Sequence, residues 1–168
     1  MSDTRLRRPG TAFLLSQLGG HSSRRWSERL APLGLEPREV MLFRQVALAE
    51  GRSQRQVALG IGLPDSRIVA LVDRMEARGW LERRPGARDR RSYALHVTPA
   101  GREVLAQIND VSLEHEADLV RALDPSERET LQGLLGRIAA DQGLIEGVHP
   151  GFADRRADLS GKEEPEAS

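Results

Sequence analysis

Apolar residues recur at intervals of three and four along most of the chain, and at intervals of two only between Trp80 and Thr98. The first helical stretch runs from about Gly10 to Leu30, with Phe13, Leu14, Leu18, Trp26 and Leu30 apolar. Gly19-Gly20 interrupts it and predicts a bend, and Pro32 and Gly34 end it. Pro37 opens a second helix that turns Val40, Phe43, Val46 and Ala47 inward and stops at Gly51. Ser53-Gln54-Arg55-Gln56 reads as a capping box, with serine as N-cap and glutamine at the third helical position. The short helix it starts carries Val57 and Leu59 and breaks at Gly60 or Gly62. Another helix follows from about Pro64, taken as a first helical position, to Arg78, and Gly79 ends it. Two helices joined by a tight Gly-containing turn form a helix-turn-helix.

Within the second of these helices, Ile68, Leu71, Val72 and Met75 fall at i, i+3, i+4 and i+7, which marks the core face. Ser66, Arg67, Val69, Ala70, Asp73 and Arg74 point elsewhere. Trp80–Arg84 and Ser92–Thr98 then alternate as two arms of a hairpin, with Pro85-Gly86 in their connection. Thr98-Pro99 starts a long helix to about Ala122, with Val104, Leu105, Ile108, Val111, Leu119 and Leu123 apolar. Asp124-Pro125-Ser126-Glu127 starts a last helix, carrying Leu131, Leu134, Leu135 and Ile138 to about Gly143. The order predicts a mostly α fold with a small β-hairpin wing. Residues 1–9 read as a flexible basic arm, 10–36 as an N-terminal dimerisation helix and 37–98 as a winged helix-turn-helix DNA-binding domain. Residues 99–146 read as C-terminal dimerisation helices, and the Gly-, Pro- and charge-rich 147–168 as a disordered tail.

Charge sharpens this reading. The chain of 168 residues has a formal net charge of zero, yet 24 of its 25 basic residues are Arg. Ten of these lie between Gly51 and Arg91 against five acids, and five crowd into Arg83–Arg91. A GC-rich genome accounts for the Arg-to-Lys ratio as well as a binding role does, but not for this clustering. A hairpin tipped with Arg beside a helix suits the minor groove next to an occupied major groove. With no Cys, disulfides, thiolate metal sites and cysteine redox switching are excluded. The four His residues lack partners at ligand spacing, and although Glu114-His115-Glu116 offers donors, a solvated helix face explains it better. No metal or other cofactor is expected. No nucleotide loop, nucleophile elbow or zinc-protease motif is present, so no enzyme is expected. No run is long enough to span a membrane, and a cytoplasmic location is expected.

The segment "SRIVALVDRMEARGWLERRPGARDRRSYALHVTPAGREVL" resembles the MarR family of bacterial winged-helix regulators. The resemblance rests on "LVDRMEARGWLERR" leaving the recognition helix, "DRR" at the wing tip and "HVTPAGREVL" entering the next helix. It implies a homodimer whose first and last two helices interlock, and a pair of recognition helices in successive major grooves of a pseudo-palindrome. It also implies that Asp89 orients Arg91 and that Arg91 enters the minor groove. The dimer has an independent argument too, since these flanking helices carry too many leucines to stand in water alone. A monomer folding them back on its own winged unit is the other possibility.

The expected function is that of a sequence-specific double-stranded DNA-binding regulator, read as a repressor. The alternative is a winged helix used for DNA packing or protein contact. Ser66, Arg67, Val69, Ala70 and Arg74 are the candidates for base reading. Arg52, Gln54, Arg55, Arg84, Arg88 and Arg90 are candidates for phosphate contact. Members of the resembled family commonly release DNA when a small molecule, often a phenol or aromatic carboxylate, enters a crevice between the dimer helices and the winged domain. Here His21, Arg25, Trp26 and Arg44 are the candidate pocket residues, although Trp26 also reads as a core anchor and the arginines as surface charge.

Overall fold

The computed structural model describes residues 8–86, 93–144 and 149; of Asp65 and Ser66 it describes the backbone alone. Helix α1 (Thr11–Leu30) begins after Gly10 and runs unbroken through Gly19-Gly20, where an interruption was expected. Two glycines weaken a helix by about 1 kcal/mol each. The second half of α1 offsets this by fastening to α5 (Pro99–Leu119): Ser22 Oγ lies 3.0 Å from His115 Nε2, and Arg29 donates to Asp118 at 3.0 Å. A 3₁₀ turn, Ala31–Leu33, and Gly34 at φ 63° end this segment.

Helix α2 (Pro37–Leu48) has Pro at its start and a capping box formed by Glu36 and Glu39. Helix α3 (Gln54–Ile61) carries the predicted Ser53–Gln56 box and closes on Gly62 at φ 66°. Val57, Ala58 and Ile61 are buried, whereas Leu59 is 73% exposed. Leu59 follows Val57 by two residues and so sits about 200° round the helix from it. Helix α4 (Asp65–Ala77) starts one residue later than expected. Pro64 is its N-cap, with extended ψ of 146°, and its carbonyl accepts from the Arg67 and Ile68 N–H groups.

Strands β1 (Leu81–Pro85) and β2 (Tyr93–Val97) pair antiparallel from Leu81↔Val97 to Pro85↔Tyr93. The residues before α3 add a third edge: Gly51 N–H donates to Leu95 O and Leu95 N–H to Arg52 O, each at 3.0 Å. Helix α5 is capped by Thr98 and ends at Leu119, short of Ala122. Helix α6 (Pro125–Asp141) has the Asp124–Glu127 box. Between the helices and the hairpin sit Phe43, Leu42, Ile61, Ile68, Val72, Met75, Leu81, Leu95 and Ile108, all nearly inaccessible. Phe43 stacks on Trp80 with ring centroids 6.2 Å apart. The predicted core face of α4 is the observed one.

Candidate nucleic-acid interface

The turn between α3 and α4 is fixed by Gly62 and by Leu63 N–H donating to Ala58 O at 3.1 Å. Burying Ile68, Leu71, Val72 and Met75 leaves the opposite face of α4 outward. Arg67 and Ala70 are exposed there, and Val69 is 41% exposed. These are the charged, methyl and small side chains expected for reading base edges. The side chain of Ser66 lies outside the described part. Arg52 and Arg55 are exposed at the start of α3, beside the N-terminal N–H groups that suit an anion.

Arg83, at the root of the hairpin, joins three elements. Its guanidinium donates to Asp73 Oδ1 at 2.5 Å, to Glu76, and to Gln54 Oε1 at 3.1 Å. Burial alone lowers its pKa, but the hydrogen bonds and charges of Asp73 and Glu76 outweigh that and raise it. The recognition helix, the helix before it and the wing therefore hold one mutual angle. Asp73, on the outward side of α4, is thereby paired with Arg83. Gln54 is bound through its carbonyl oxygen, which leaves its amide NH₂. Arg84 is exposed and pairs with Glu82 at 2.5 Å. Arg88, Asp89, Arg90 and Arg91 lie outside the described residues.

Arg74, a candidate for base reading, is half-exposed and lies beside two carboxylates. Its Nε donates to Glu39 Oε1 at 3.2 Å and its Nη2 lies 3.9 Å from Glu36 Oε2, so its charge is turned toward α2. Position 74 sits at the edge of the core stripe, where a neighbouring helix can claim it.

The four residues proposed as one pocket separate into two crevices. Trp26 and Arg44 line a crevice of about 990 Å³ between α1, α2 and α5, with Val40, Met41, Ser112 and His115. His21 and Arg25 line another of about 410 Å³ between α1 and α5, with Asp118 and Arg121. Arg25 is bound to Asp118 at 3.1 Å, and that pairing with Arg25 and Arg29 holds the Asp118 carboxyl below its ordinary range. Arg44 donates to Ser112 Oγ at 2.6 Å. Sequence reasoning missed His115, which borders both crevices and packs on Trp26 with ring centroids 5.4 Å apart. Burial and then the Arg29 charge depress its pKa, although Glu116 and Asp118 pull the other way. Among the described residues no His, Asp and Glu cluster could hold a metal ion, and no helix is long and apolar enough to cross a membrane.

The family model described as the MarR family matches residues 33–92, which span α2, α3, α4 and β1. Over residues 33–92 the chain is thus similar to the MarR family. A putative transcriptional regulatory protein for the hcr operon of Thauera aromatica is 34% identical over 105 residues, covering 62% of this chain. The chain spans only 63% of that relative's length. The transcriptional repressor CouR, solved bound to a 23-mer DNA duplex, is 26% identical with a TM-score of 0.69, covering 81% of this chain and 99% of that one. The wild-type apo MarR structure from E. coli shares the fold at 20% identity, with a TM-score of 0.68, covering 79% of this chain and 98% of that one. The helices with their two-stranded wing are thus a MarR transcriptional-regulator fold, and the relatives are named for regulation, not for catalysis.

Proposed function

We propose that this chain is a sequence-specific double-stranded DNA-binding regulator that acts as a homodimer and represses transcription. The observation that carries the reading is the outward face of α4, with Arg67, Val69 and Ala70, locked through Arg83 to the root of an Arg-rich wing. In this reading Arg67 grips a guanine edge and Val69 or Ala70 meets a thymine methyl, each good bidentate pair discriminating by about 1–3 kcal/mol. Arg52, Gln54, Arg55, Arg84, Arg88 and Arg90 hold phosphates, and Asp89 orients Arg91 in the minor groove. Pairing of two chains is supported by exposed Phe13, Leu14 and Leu18 on α1 and Leu131, Leu134, Leu135 and Ile138 on α6. Helix α6 has no buried residue, so its apolar stripe is unused within one chain.

The crevice at Trp26 and Arg44 suits a small aromatic acid or phenol, with the indole as a flat wall and the guanidinium as carboxylate partner. His21 and Arg25 belong to the neighbouring crevice and are not part of that pocket. Footprinting on the DNA upstream of the gene tests the reading, with benzoate and phenol as release probes. A short two-fold symmetric protected site, with half-sites about 10 bp apart, supports it. Uniform weak protection points instead to DNA packing.

A further inference from the structure

One charged side chain among the described residues is buried: Glu39, 2% exposed, in α2. A carboxylate there needs partners for both oxygens. The Glu36 N–H donates to Oε2 at 2.9 Å and Arg74 Nε to Oε1 at 3.2 Å. One turn further along α4, Arg78 Nη1 donates to the Gly34 carbonyl at 2.7 Å, and its guanidinium lies 4.8 Å from the Trp80 ring centroid. The C-terminal end of α4 is therefore tied at two successive turns to residues 34–39, the segment that joins α1 to α2.

We propose that Arg74 is a positioning residue, acting through Glu39 to set the angle of the recognition helix against the α1–α2 junction. It thereby sets the distance between the two recognition helices of a dimer. The inference rests on the dimeric DNA-binding reading above, in which α1 belongs to the pairing helices. In α4, of 13 residues, Arg67 lies about 10 Å along the axis from Arg74, so a tilt of about 10° at that clamp moves it about 2 Å, roughly half a base-pair step. A clamp at the anchored end thus controls which half-site spacing fits. It also occupies the Arg74 guanidinium, which then does not choose a base.

The test measures binding of the full chain to duplexes built on the footprinted site. These are the intact site, sites with one base pair inserted or removed between half-sites, and sites with each base pair replaced in turn. The variants are Arg74→Gln and Glu39→Gln; glutamine at 39 keeps an acceptor for the Glu36 N–H, and melting temperatures are recorded. The wild type is expected to lose about tenfold or more when the spacing changes, and both variants less than about threefold, with base preferences unchanged at every position. A residue that only stabilised the fold would weaken all duplexes alike. Should Arg74→Gln fail to fold, Arg74→Lys keeps a charge opposite Glu39 and is expected to relax the spacing preference in part. Arg74→Gln relaxing one base position while Glu39→Gln behaves as wild type would overturn the inference. So would spacing selectivity that survives in every variant, and either result leaves the dimer reading intact. A wild type that binds with no spacing preference overturns both.

Discussion

Arg83 shows how much one side chain can contribute to the proposed binding surface through bonds within the protein. Its bonds to Gln54, Asp73 and Glu76 span two helices and a strand. Arg83→Ala is expected to cost about 1–3 kcal/mol in urea unfolding, because charged hydrogen bonds are lost from a half-buried site. It should also weaken duplex binding about tenfold by freeing the wing from α4. Arg91→Ala should behave differently. Minor-groove insertion predicts at least about tenfold weaker binding with an unchanged unfolding curve and unchanged dimerisation. Equal affinity of variant and wild type in a mobility-shift titration would remove Arg91 from the groove. Glu39 and Arg74 mark where residue-level reading stops. A glutamate N-cap lacks the usual Ser, Thr, Asp or Asn signature, so the Glu36–Glu39 box was not legible. The Arg74–Glu39 pair spans 35 residues, and nothing local announces it.

At the scale of elements, caps and periodicity were enough to order the helices and hairpin. Ser53–Gln56 and Asp124–Glu127 form their boxes as read, and Ile68, Leu71, Val72 and Met75 form the buried stripe. Packing between elements was less legible, and it decides the crevices. Arg25 joined Asp118 across 93 residues and left Trp26 and Arg44 on another surface. Gly101 exposes a similar constraint: a Cβ there would lie 2.1 Å from the Trp80 carbonyl oxygen, a backbone atom that cannot swing aside. Gly101→Ala should therefore destabilise the fold by about 1–3 kcal/mol, measured by the urea midpoint, although alanine normally favours a helix. The α1–α5 contact carries a pH signature. His115 is held below its ordinary 6.5, so as pH falls the unfolded chain takes up a proton before the folded chain does. Stability present above pH 6.5 is then lost as pH drops from that value to the folded pKa. Glu50 and Asp118, both depressed from 4.5 and 3.8, act at lower pH. His115→Gln should flatten the urea midpoint between about pH 7 and 5, and an unchanged slope would contradict the assignment.

For the whole molecule, the exposed leucines of α1 and α6 leave one chain with apolar surface it does not cover. Charged substitution on that surface, Leu134→Glu with Leu135→Glu, is expected to shift sedimentation from two chains to one. Duplex affinity should fall at least about a hundredfold with it, because a lone half-site forfeits the second domain's binding. The face proposed to meet DNA was legible because it is built from neighbours in sequence. The surfaces proposed to set its angle and pair its copies depend on residues dozens of positions apart. The most direct measurement is duplex affinity against salt concentration on the footprinted site. Docking of two Arg-lined faces on phosphate predicts a fall of about 10³ or more between 50 and 200 mM salt, for about six or more phosphates neutralised. Affinity that stays flat over that range, or no binding at the low end, would contradict it.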